Sequence, residues 1–320
     1  MKRKVPKQFL QAVATHRNKL EKVLSGGAAA KMKRLYDSAQ DELMSKLRRS
    51  IKAGKGEKFT AFHQRVVLAQ LRQGQAIITK RLAKEMGPLT KKAQEVALKG
   101  LIEDVSLLNY AFTGSDITLP VEEASVFAGV IEGREPSILR ANQESFARYG
   151  VRVVSDVEDA LAQSLLEGAS PGEVMDDVAE LIDGEWWRGE RIVRTESSMA
   201  FNSTHRDGIE ESAKEIPELG MRWEEFCDDE GRPLDDRVGV DSIAMHGQVC
   251  DADGTFTMPA EAPFPTMGDK KGRTDVPDGL VGLTWDHPPN RPNDRSTLSP
   301  WMPDWGVPGW RYSNGRRIWL

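Results

Sequence analysis

Residues 187–217 read WRGERIVRTESSMAFNSTHRDGIEESAKEIP, and the rest of the chain is best interpreted outward from this stretch. Its positions at helical spacing form one stripe of Ile192, Thr195, Glu196, Met199, Asn202, Arg206, Ile209 and Ala213. This spacing predicts a helix that begins near Trp187 and runs to about Glu215, where Pro217 ends it. Since Glu196, Asn202 and Arg206 interrupt the apolar stripe, the helix is expected to bury polar side chains.

The N-terminal part of the chain is predicted to be helical to about residue 110. Its expected breaks are Gly26-Gly27, residues 54–56 and Gly87-Pro88. Apolar residues at helical spacing and many basic residues over 59–86 predict a long cationic helix. The apolar stripe of that helix is read as Phe62, Val66, Ala69, Ile77 and Leu82. Two shorter amphipathic helices are predicted over residues 121–131 and 136–149.

Two local signals predict where further helices begin. Ser155 with Glu158, and Ser170 with Glu173, have the spacing of a capping box. In that motif the serine oxygen accepts a hydrogen bond from the third helical N–H and the glutamate reaches back. Pro171 also fills the first helical position, where its missing N–H costs nothing. Helices are therefore expected to begin after both serines.

The sequence changes character at Pro217, because 12 of the 17 prolines and six of the eight tryptophans lie at or beyond it. Short strands are predicted at 221–226, 247–250 and 255–258, and the last two are expected to form a hairpin. The remainder to Leu320 is expected to be loop-rich. We therefore predict an α+β fold that is mainly α, with a central helical bundle. Its expected parts are a basic helical region (1–115), a central helical domain (116–217) and a small β and loop-rich domain (218–320).

Charge is divided unevenly along the chain. The net charge of −5 combines +17 over residues 1–100, with 24 Lys and Arg against 7 Asp and Glu, and −22 over the remainder. Such an excess is typical of nucleic-acid binding, although a solvated helix face can have the same composition. Residues 1–100 are therefore predicted to bind double-stranded DNA nonspecifically. The predicted DNA-binding residues are Lys2, Arg3, Lys4, Lys7, Arg17, Lys19, Lys22, Lys31, Lys33, Arg34, Lys46, Arg48 and Arg49.

The composition argues against several other classes of protein. No run of about 18 uncharged apolar residues predicts a membrane span, so no membrane partner is expected. The N-terminus lacks the apolar segment of a secretory signal, and Cys227 and Cys250 are too few for a disulfide framework. There is no Gly-rich phosphate loop, and we see no helix-turn-helix signal for a DNA-binding regulator. We expect a cytosolic site of synthesis and no cofactor.

Short motifs follow one another in order between about residues 155 and 295. They are Arg194-Thr195-Glu196, Asn202, Trp223, Asp236-Arg237, His246-Gly247-Gln248, Phe264-Pro265 and His287-Pro288-Pro289-Asn290. In this order they resemble the phage Mu F-like minor head proteins, also called phage head morphogenesis proteins. The resemblance implies a minor capsid protein that resides in the virion near the portal, and in the host cytoplasm during assembly. The implied partners are the portal protein, other head proteins and packaged DNA, for head assembly, DNA retention or ejection.

Two departures from the family pattern concern a metal site. Many relatives carry a Cys-x-x-Cys pair and a later Cys-x-Cys segment, and both are missing after Arg237 and after His287-Pro288. The remaining candidate ligands are Cys227, His246, Cys250 and His287. Zinc ligands normally come in closely spaced pairs, and only His246 and Cys250 are close. No metal is therefore predicted.

The triplet Arg194-Thr195-Glu196 has two interpretations. In the first, Glu196 is a general base and Arg194 binds an anion. In the second, Glu196 is a buried structural carboxylate that pairs with Arg206 or Arg237, and its loss costs about 1 to 3 kcal/mol. The structural interpretation is favoured, because no Ser, Cys or His stands at a spacing that indicates an activated nucleophile. We therefore predict no enzymatic activity.

Domains similar to this one also occur joined to toxin modules. The alternative function is accordingly an effector enzyme, either a nuclease or an ADP-ribosyltransferase. The tryptophans after residue 217 are Trp223, Trp285, Trp301, Trp305, Trp310 and Trp319. They are predicted to help this region dock to the portal or to neighbouring head proteins, because aromatic residues supply much interface energy. The competing interpretation is that they fill the core of their own domain.

Overall fold

The fold was analysed from a computed structural model of the chain. It describes residues 15–16, 18–20, 22–23, 27–51, 58–113, 118–184, 186–225, 227, 232–235, 237–267, 272–289, 294–303, 309–313 and 316–320. The fold is mainly helical with a few small antiparallel sheets, which confirms the predicted α+β class. None of the helices in these ranges is long and apolar enough to cross a membrane.

Six α-helices are numbered here within the described ranges. They are α1 (Gly27–Ser50), α2 (Ala61–Thr113), α3 (Ala124–Glu167), α4 (Pro171–Asp183), α5 (Trp186–Ala213) and α6 (Val240–Met245). A short 3-10 helix at Pro120–Glu122 precedes α3. Helix α5 lies within two residues of both ends predicted from the stripe, which confirms that prediction.

The strands all follow α5 in the chain. They are β1 (Gly220–Glu224), β2 (Val249–Asp251), β3 (Phe256–Thr257), β4 (Thr284–Trp285), β5 (Thr297–Trp301), β6 (Trp310–Ser313) and β7 (Arg316–Trp319). One antiparallel sheet has the order β2-β1-β5, so β5 is an edge strand. Strand β3 pairs with β4, and β6 with β7.

The chain divides into two compact units, and each is built from separated stretches of sequence. We call residues 23–89 with 137–196 the helical unit, and residues 1–22, 90–136 and 197–320 the mixed unit. This division differs from the three consecutive regions expected from the sequence. The difference arises because long helices supply residues to both units, whereas composition reports only on consecutive residues.

The helical unit has a core of apolar side chains from α1, α2, α3, α4 and the start of α5. Tyr36 lies in this core, where its hydroxyl donates to the carbonyl of Ile182 at 3.2 Å and accepts from the Tyr149 hydroxyl at 2.9 Å. The Tyr36 ring also packs 5.2 Å from that of Trp186. These contacts join α1 to α3, α4 and α5 through one side chain whose polar atom is satisfied, as burial requires.

The mixed unit has its own core around the three-stranded sheet. In β1 every residue is buried, so the strand is covered on both faces. Trp223 is fully buried, and its ring meets that of Phe256 edge-on, with 5.3 Å between the ring centroids. This core includes residues of α2, α5 and α6, and those elements position the candidate site described below.

The expected break at Gly87-Pro88 and the expected helix start at Pro136 are both wrong. Pro88 lies inside α2 and Pro136 inside α3, and both prolines are exposed. An internal proline removes one helical hydrogen bond, at a cost of about 3 kcal/mol. At an exposed position water can satisfy the freed carbonyl. On either side of Pro88, the buried residues Met86 and Leu89 continue the packed face of α2.

Most of the apolar stripe assigned to the cationic helix also falls on the wrong face, and of its five residues only Leu82 is buried. Phe62 is 65% exposed and Ile77 is 48% exposed. The buried face of α2 in the helical unit consists of Val67, Leu68, Leu71, Gln75, Ile78, Leu82 and Met86. Its spacing is equally helical, but Gln75 interrupts it. The spacing of apolar residues alone therefore did not show which face of the helix is buried.

The two capping-box predictions had different outcomes. At Ser170 the motif is present, because its Oγ accepts from the Glu173 N–H at 3.3 Å and the Glu173 carboxylate accepts from the Ser170 N–H at 2.8 Å. The helix start predicted at Ser155 is wrong, since Ser155 lies within α3. Val153 and Val157 are buried beside it, so the apolar face of the helix continues past the serine.

The predicted hairpin of residues 247–250 with 255–258 is also wrong in its partners. Strand β1 lies where predicted, but β2 pairs with β1 and β3 with β4. The turn between β2 and β3 does form, with the Gly254 N–H bonded to the Asp251 carbonyl at 2.9 Å. The turn that the hairpin requires is thus present, while strand pairing depends on residues that are distant in sequence.

We predict that Ser170→Ala lowers the free energy of unfolding by about 1 kcal/mol, because the Glu173 N–H loses its acceptor. Ser155→Ala is the matched control and should be neutral, since Ser155 is an exposed residue in a helix interior. Urea denaturation of both variants measures the difference. Equal effects of the two substitutions would contradict the assignment of the cap.

Candidate functional site

The triplet Arg194-Thr195-Glu196 lies on α5. The helical unit ends at Glu196, and the rest of α5 belongs to the mixed unit. Arg194 donates to Glu190 at 3.2 Å, one turn earlier. The Thr195 hydroxyl donates to the Arg191 carbonyl at 2.8 Å. These two hydrogen bonds are thus local helical contacts.

Glu196 is 8% exposed and lies against α3. Its carboxylate accepts a hydrogen bond from the Ser145 hydroxyl at 2.6 Å, and Arg148 in turn donates to the Ser145 oxygen at 3.1 Å. Burial raises the pKa of Glu196, while the bond from Ser145 and the charge of Arg148 oppose this shift. The carboxylate therefore has a serine as its partner, and its ionised form is disfavoured.

The expected pairing of Glu196 with Arg206 or Arg237 is wrong. Arg206 donates to Glu210 at 2.5 Å and to the Asp286 carbonyl at 2.8 Å. Arg237 is exposed and pairs with Asp235 at 3.1 Å. Its predicted neighbour Asp236 lies outside the described residues. Helical periodicity indicated correctly that Glu196 is buried, but it could not indicate which distant side chain would meet the carboxylate.

Asn202 connects α5 to the edge of the three-stranded sheet. Its side chain is fully buried and donates to the Ser296 carbonyl at 3.1 Å. The same amide accepts a hydrogen bond from the Leu298 N–H of β5, also at 3.1 Å. An edge strand leaves such backbone groups unpaired, and they are costly when buried. The Asn202 amide therefore replaces a missing neighbouring strand.

The Gln248 side chain likewise makes hydrogen bonds to the backbone of another strand, at Thr257 of β3. Its side-chain oxygen accepts from the Thr257 N–H at 2.6 Å, and its nitrogen donates to the Thr257 carbonyl at 2.9 Å. The side-chain amide thus makes both hydrogen bonds that a paired residue in a strand would make. These bonds lie between the two segments for which the sequence predicted a backbone hairpin.

The motif His246-Gly247-Gln248 forms a turn beside β1. The Gly247 N–H donates to the Trp223 carbonyl at 2.9 Å, and the Trp310 N–H donates to the Gly247 carbonyl at 3.0 Å. Gly247 has φ of +78°, and a Cβ there would lie 3.3 Å from Nε1 of Trp310. Both the backbone angle and the tight space favour glycine.

His246 is held on two sides of this turn. Its Nδ1 accepts from the Glu225 N–H at 3.1 Å, and its carbonyl accepts from the Trp310 indole N–H at 2.8 Å. The same ring nitrogen lies 3.9 Å from the Glu224 carboxylate. Because Nδ1 accepts a hydrogen bond, the neutral ring carries its proton on Nε2.

A buried charged cluster on β1 was missed by the sequence analysis. Arg222 pairs with Glu224, and Glu224 also accepts from the Ser299 hydroxyl at 2.6 Å. Burial alone would raise the pKa of Glu224, but Arg222, His246 and the bond from Ser299 outweigh it and lower the pKa. The signal in the sequence is Arg-x-Glu, since alternate residues of a strand share one face.

Glu225 belongs to a second buried network, in which Ser296 donates to its carboxylate at 2.6 Å. Asp294 is close to both this network and α6. It accepts from the Ser242 hydroxyl at 3.2 Å and from the Ser296 N–H at 3.1 Å. The bonds Ser296–Glu225 and Ser242–Asp294 join the end of β1, α6 and the segment before β5, and they link residues 71 and 52 positions apart in sequence.

Of the four candidate metal ligands, His246 and His287 make other hydrogen bonds and Cys250 is buried. His287 is buried, and its Nδ1 donates to the Pro288 carbonyl at 2.6 Å. Burial lowers the pKa of His287 and raises the pKa of Cys250 to about 12, so this thiol is not ionised near neutral pH. Within the described ranges no group of three or more His, Cys, Asp or Glu side chains is placed to hold a metal ion.

The tryptophans of the C-terminal region mostly face inward. Trp223, Trp301 and Trp310 are each at most 2% exposed, and Trp285 is half-buried. Trp305 lies outside the described residues, and so does the side chain of Trp319. The buried tryptophans fill the core of the mixed unit, as the competing interpretation had it. They are not available as anchors for a partner.

The predicted DNA-binding residues divide into three groups. Lys2, Arg3, Lys4, Lys7 and Arg17 lie outside the described residues. The other eight, Lys19, Lys22, Lys31, Lys33, Arg34, Lys46, Arg48 and Arg49, are all exposed. Five of these eight form ion pairs with carboxylates, namely Lys19, Lys31, Lys33, Lys46 and Arg48. This pairing was not foreseen from the sequence.

Comparisons with known proteins add no further constraint. No protein-family model, no curated protein and no solved structure matches this chain.

We predict that Asn202→Ala lowers the free energy of unfolding by about 2 to 4 kcal/mol, because it leaves two buried backbone groups unpaired. Met199→Ala, at an exposed position of the same helix, should change stability by less than about 0.5 kcal/mol. Denaturant unfolding compares the two variants. A loss for Asn202→Ala no larger than that of the control would mean that the edge of β5 does not depend on this amide.

We predict that Glu196→Gln stabilises the protein at neutral pH. Because burial raises the pKa of Glu196 above its unfolded value, the folded state binds the proton more tightly, and stability falls as pH rises through both values. The glutamine keeps an oxygen acceptor for Ser145 without the charge. Melting temperatures across pH should show an advantage over wild type that disappears below about pH 4. Glu180→Gln, which changes an exposed carboxylate, should show no such pH-dependent advantage.

Proposed function

We propose that this chain is a minor head protein of a tailed phage, with a structural and not a catalytic role. In this proposal it resides in the virion near the portal and in the host cytoplasm during assembly. It binds the portal, other head proteins and packaged double-stranded DNA, and assists head assembly, DNA retention or ejection.

The observation that carries the proposal is the role of the motif residues in the mixed unit. Asn202 and Gln248 supply missing backbone hydrogen bonds, while Gly247 permits the turn that His246 and Trp310 hold. These contacts account for the motif residues as parts of a scaffold. A structural protein needs such a scaffold, and the ordered motifs resemble the Mu F-like minor head proteins.

The distribution of charge supports the DNA-binding part of the proposal. Residues 1–100 carry a balance of +17 against −22 for the rest of the chain. Packaged DNA attracts the first region and repels the second, so the field of the protein itself favours one orientation. The eight described candidate cations are exposed to solvent, where phosphates could reach them.

The portal contact is proposed to lie on residues 218–320. Since the tryptophans described there are largely buried, the contact has to use other apolar side chains. Leu234, Met267, Leu283, Ile318 and Leu320 are exposed in this region. The region is acidic overall, and exposed apolar side chains can supply the apolar part of a protein interface.

We predict that mass spectrometry of particles of the encoding phage or prophage detects this chain at few copies per particle. Comparing particles before and after DNA release shows whether it remains in the head or leaves with the DNA. The major capsid protein serves as the internal standard for copy number. The chain should also copurify with portal protein from infected or induced cells.

The alternative function, an effector enzyme, predicts the opposite outcome. If the chain is missing from purified particles, and the purified protein cleaves nucleic acid or transfers ADP-ribose, the structural proposal is wrong. Loss of that turnover in Glu196→Gln, at unchanged or higher melting temperature, would then assign a catalytic role to Glu196.

A further inference from the structure

The cations of the helical unit differ in whether a carboxylate already neutralises them. Lys31 pairs with Glu85 and Lys33 with Asp37, each at 2.7 Å. Similar pairs neutralise Lys46, Arg48 and Arg72. A cation that is held by a carboxylate has less charge to offer a phosphate, because binding must first break or share the existing pair.

Other exposed cations of the same unit have no described carboxylate within ion-pair distance. On α1, on α2 and just before α2 they are Arg34, Arg49, Lys58, Arg65, Lys80, Arg81 and Lys84, and on α3 and α5 they are Arg140, Arg148, Arg152 and Arg191. Arg34, Arg49 and Arg65 donate only to carbonyls of their own helices. Only Arg34 and Arg49 of this set were among the residues predicted from sequence to bind DNA.

Two of these arginines line one cleft between α1 and α2, with a volume of about 660 Å³. Arg49 contributes from α1 and Arg81 from α2, and the cleft also contains the Lys46–Glu42 ion pair. The charged side chains that line it sum to +2. Ser50, Gln70 and Gln73 add polar side chains of the kind that contact phosphate and sugar.

The cationic surface continues along α2 beyond the cleft. Arg65, Gln73, Lys80 and Lys84 are exposed at spacings that keep them on one side of the helix. At 1.5 Å per residue, Arg65 and Lys84 are about 28 Å apart along the axis. Duplex DNA carries one charge per about 1.7 Å of its axis, so a backbone laid along α2 meets cations at both ends of this line.

The side chains of the cleft favour nucleic acid over a protein segment. Protein interfaces are enriched in aromatic residues at their centre, and the residues that line this cleft include none. Stacking on single-stranded bases also requires aromatic side chains. Arginines beside Ser50, Gln70 and Gln73 instead suit the phosphates of a duplex, which are bound without reading the bases.

We infer that the cleft between α1 and α2, together with the exposed line along α2, is the contact surface for the phosphate backbone of double-stranded DNA. Arg49, Arg81, Lys80 and Lys84 make the main contacts. The ion-paired Lys31, Lys33 and Arg48 contribute less. This inference rests on the proposed function, since it names the surface through which the chain holds packaged DNA.

The test measures binding of the full chain to a short mixed-sequence DNA duplex by fluorescence anisotropy at several salt concentrations. Each phosphate contact contributes about 0.9 to the slope of log affinity against log salt. Arg49→Gln/Arg81→Gln and Lys80→Gln/Lys84→Gln should therefore each reduce the slope by about 1.8. These side chains are exposed, and unchanged melting temperatures will verify that both variants are folded.

The matched control is Arg140→Gln/Arg152→Gln, which removes the same charge from exposed positions of α3 in the same unit. It should leave the salt slope unchanged. Lys31→Gln/Lys33→Gln should reduce the slope less than either cleft or α2 variant, because those lysines are already paired. Together these variants separate a local contact from a general effect of net charge.

Each other outcome has a defined meaning. If the control weakens binding as much as the cleft and α2 variants, the inferred surface is wrong, while DNA binding by the chain still stands. If the full chain binds no duplex even at low salt, the DNA-binding part of the proposed function is wrong, and the inference falls with it. Unchanged DNA binding with loss of a copurifying head protein in the Arg49/Arg81 variant would assign the cleft to a protein partner instead.

Discussion

The mixed unit depends on one constraint, which is that buried backbone groups at the edge of a small sheet must find partners. With only three strands, the sheet cannot cover its own edge at β5. Asn202 meets the exposed backbone there with a side-chain amide, and Gln248 does the same at Thr257. An amide side chain has the same donor and acceptor as a peptide group, so it can extend a ladder by one residue.

This arrangement also explains how a region rich in loops can be ordered. The segments after α5 contain few backbone ladders, and their strands are two to five residues long. Hydrogen bonds from Asn202, Ser296 and Ser299 join them to α5 and β1 instead. Because the interior is a poor substitute for water, each of these bonds must be made for the segment to remain buried. The motif residues Asn202 and Gln248 therefore act by making hydrogen bonds to buried backbone groups that would otherwise lack a partner.

The sequence predicted those features that depend on neighbouring residues. The limits of α5 and the cap at Ser170 follow from spacing and local chemistry alone. The partner of Glu196 did not, because Ser145 lies 51 residues away and nothing in helical periodicity selects it. The prediction that β2 pairs with β3 failed for the same reason, because their actual partners are distant in sequence. Burial of Asn202 was expected from its stripe, yet its contacts with β5 span more than 90 residues.

The two helix-internal prolines show how a local signal can be correct about one property and wrong about another. Pro88 and Pro136 do not end their helices, but each lies within two residues of a change from one compact unit to the other. Chemistry that weakens a helix locally is thus found where its packing environment changes. Treating proline only as a helix terminator missed this relation.

The discontinuity of both units has a consequence for how such a protein can change. Residues of α2, α3 and α5 are divided between the helical and mixed units, so neither core is encoded by one uninterrupted stretch. Recombination exchanges contiguous segments, and any crossover between residues 23 and 196 would bring together parts of two cores that had not been selected to fit. The basic residues 1–100 contribute to both units, so exchanging them alone would separate residues that pack together in each core.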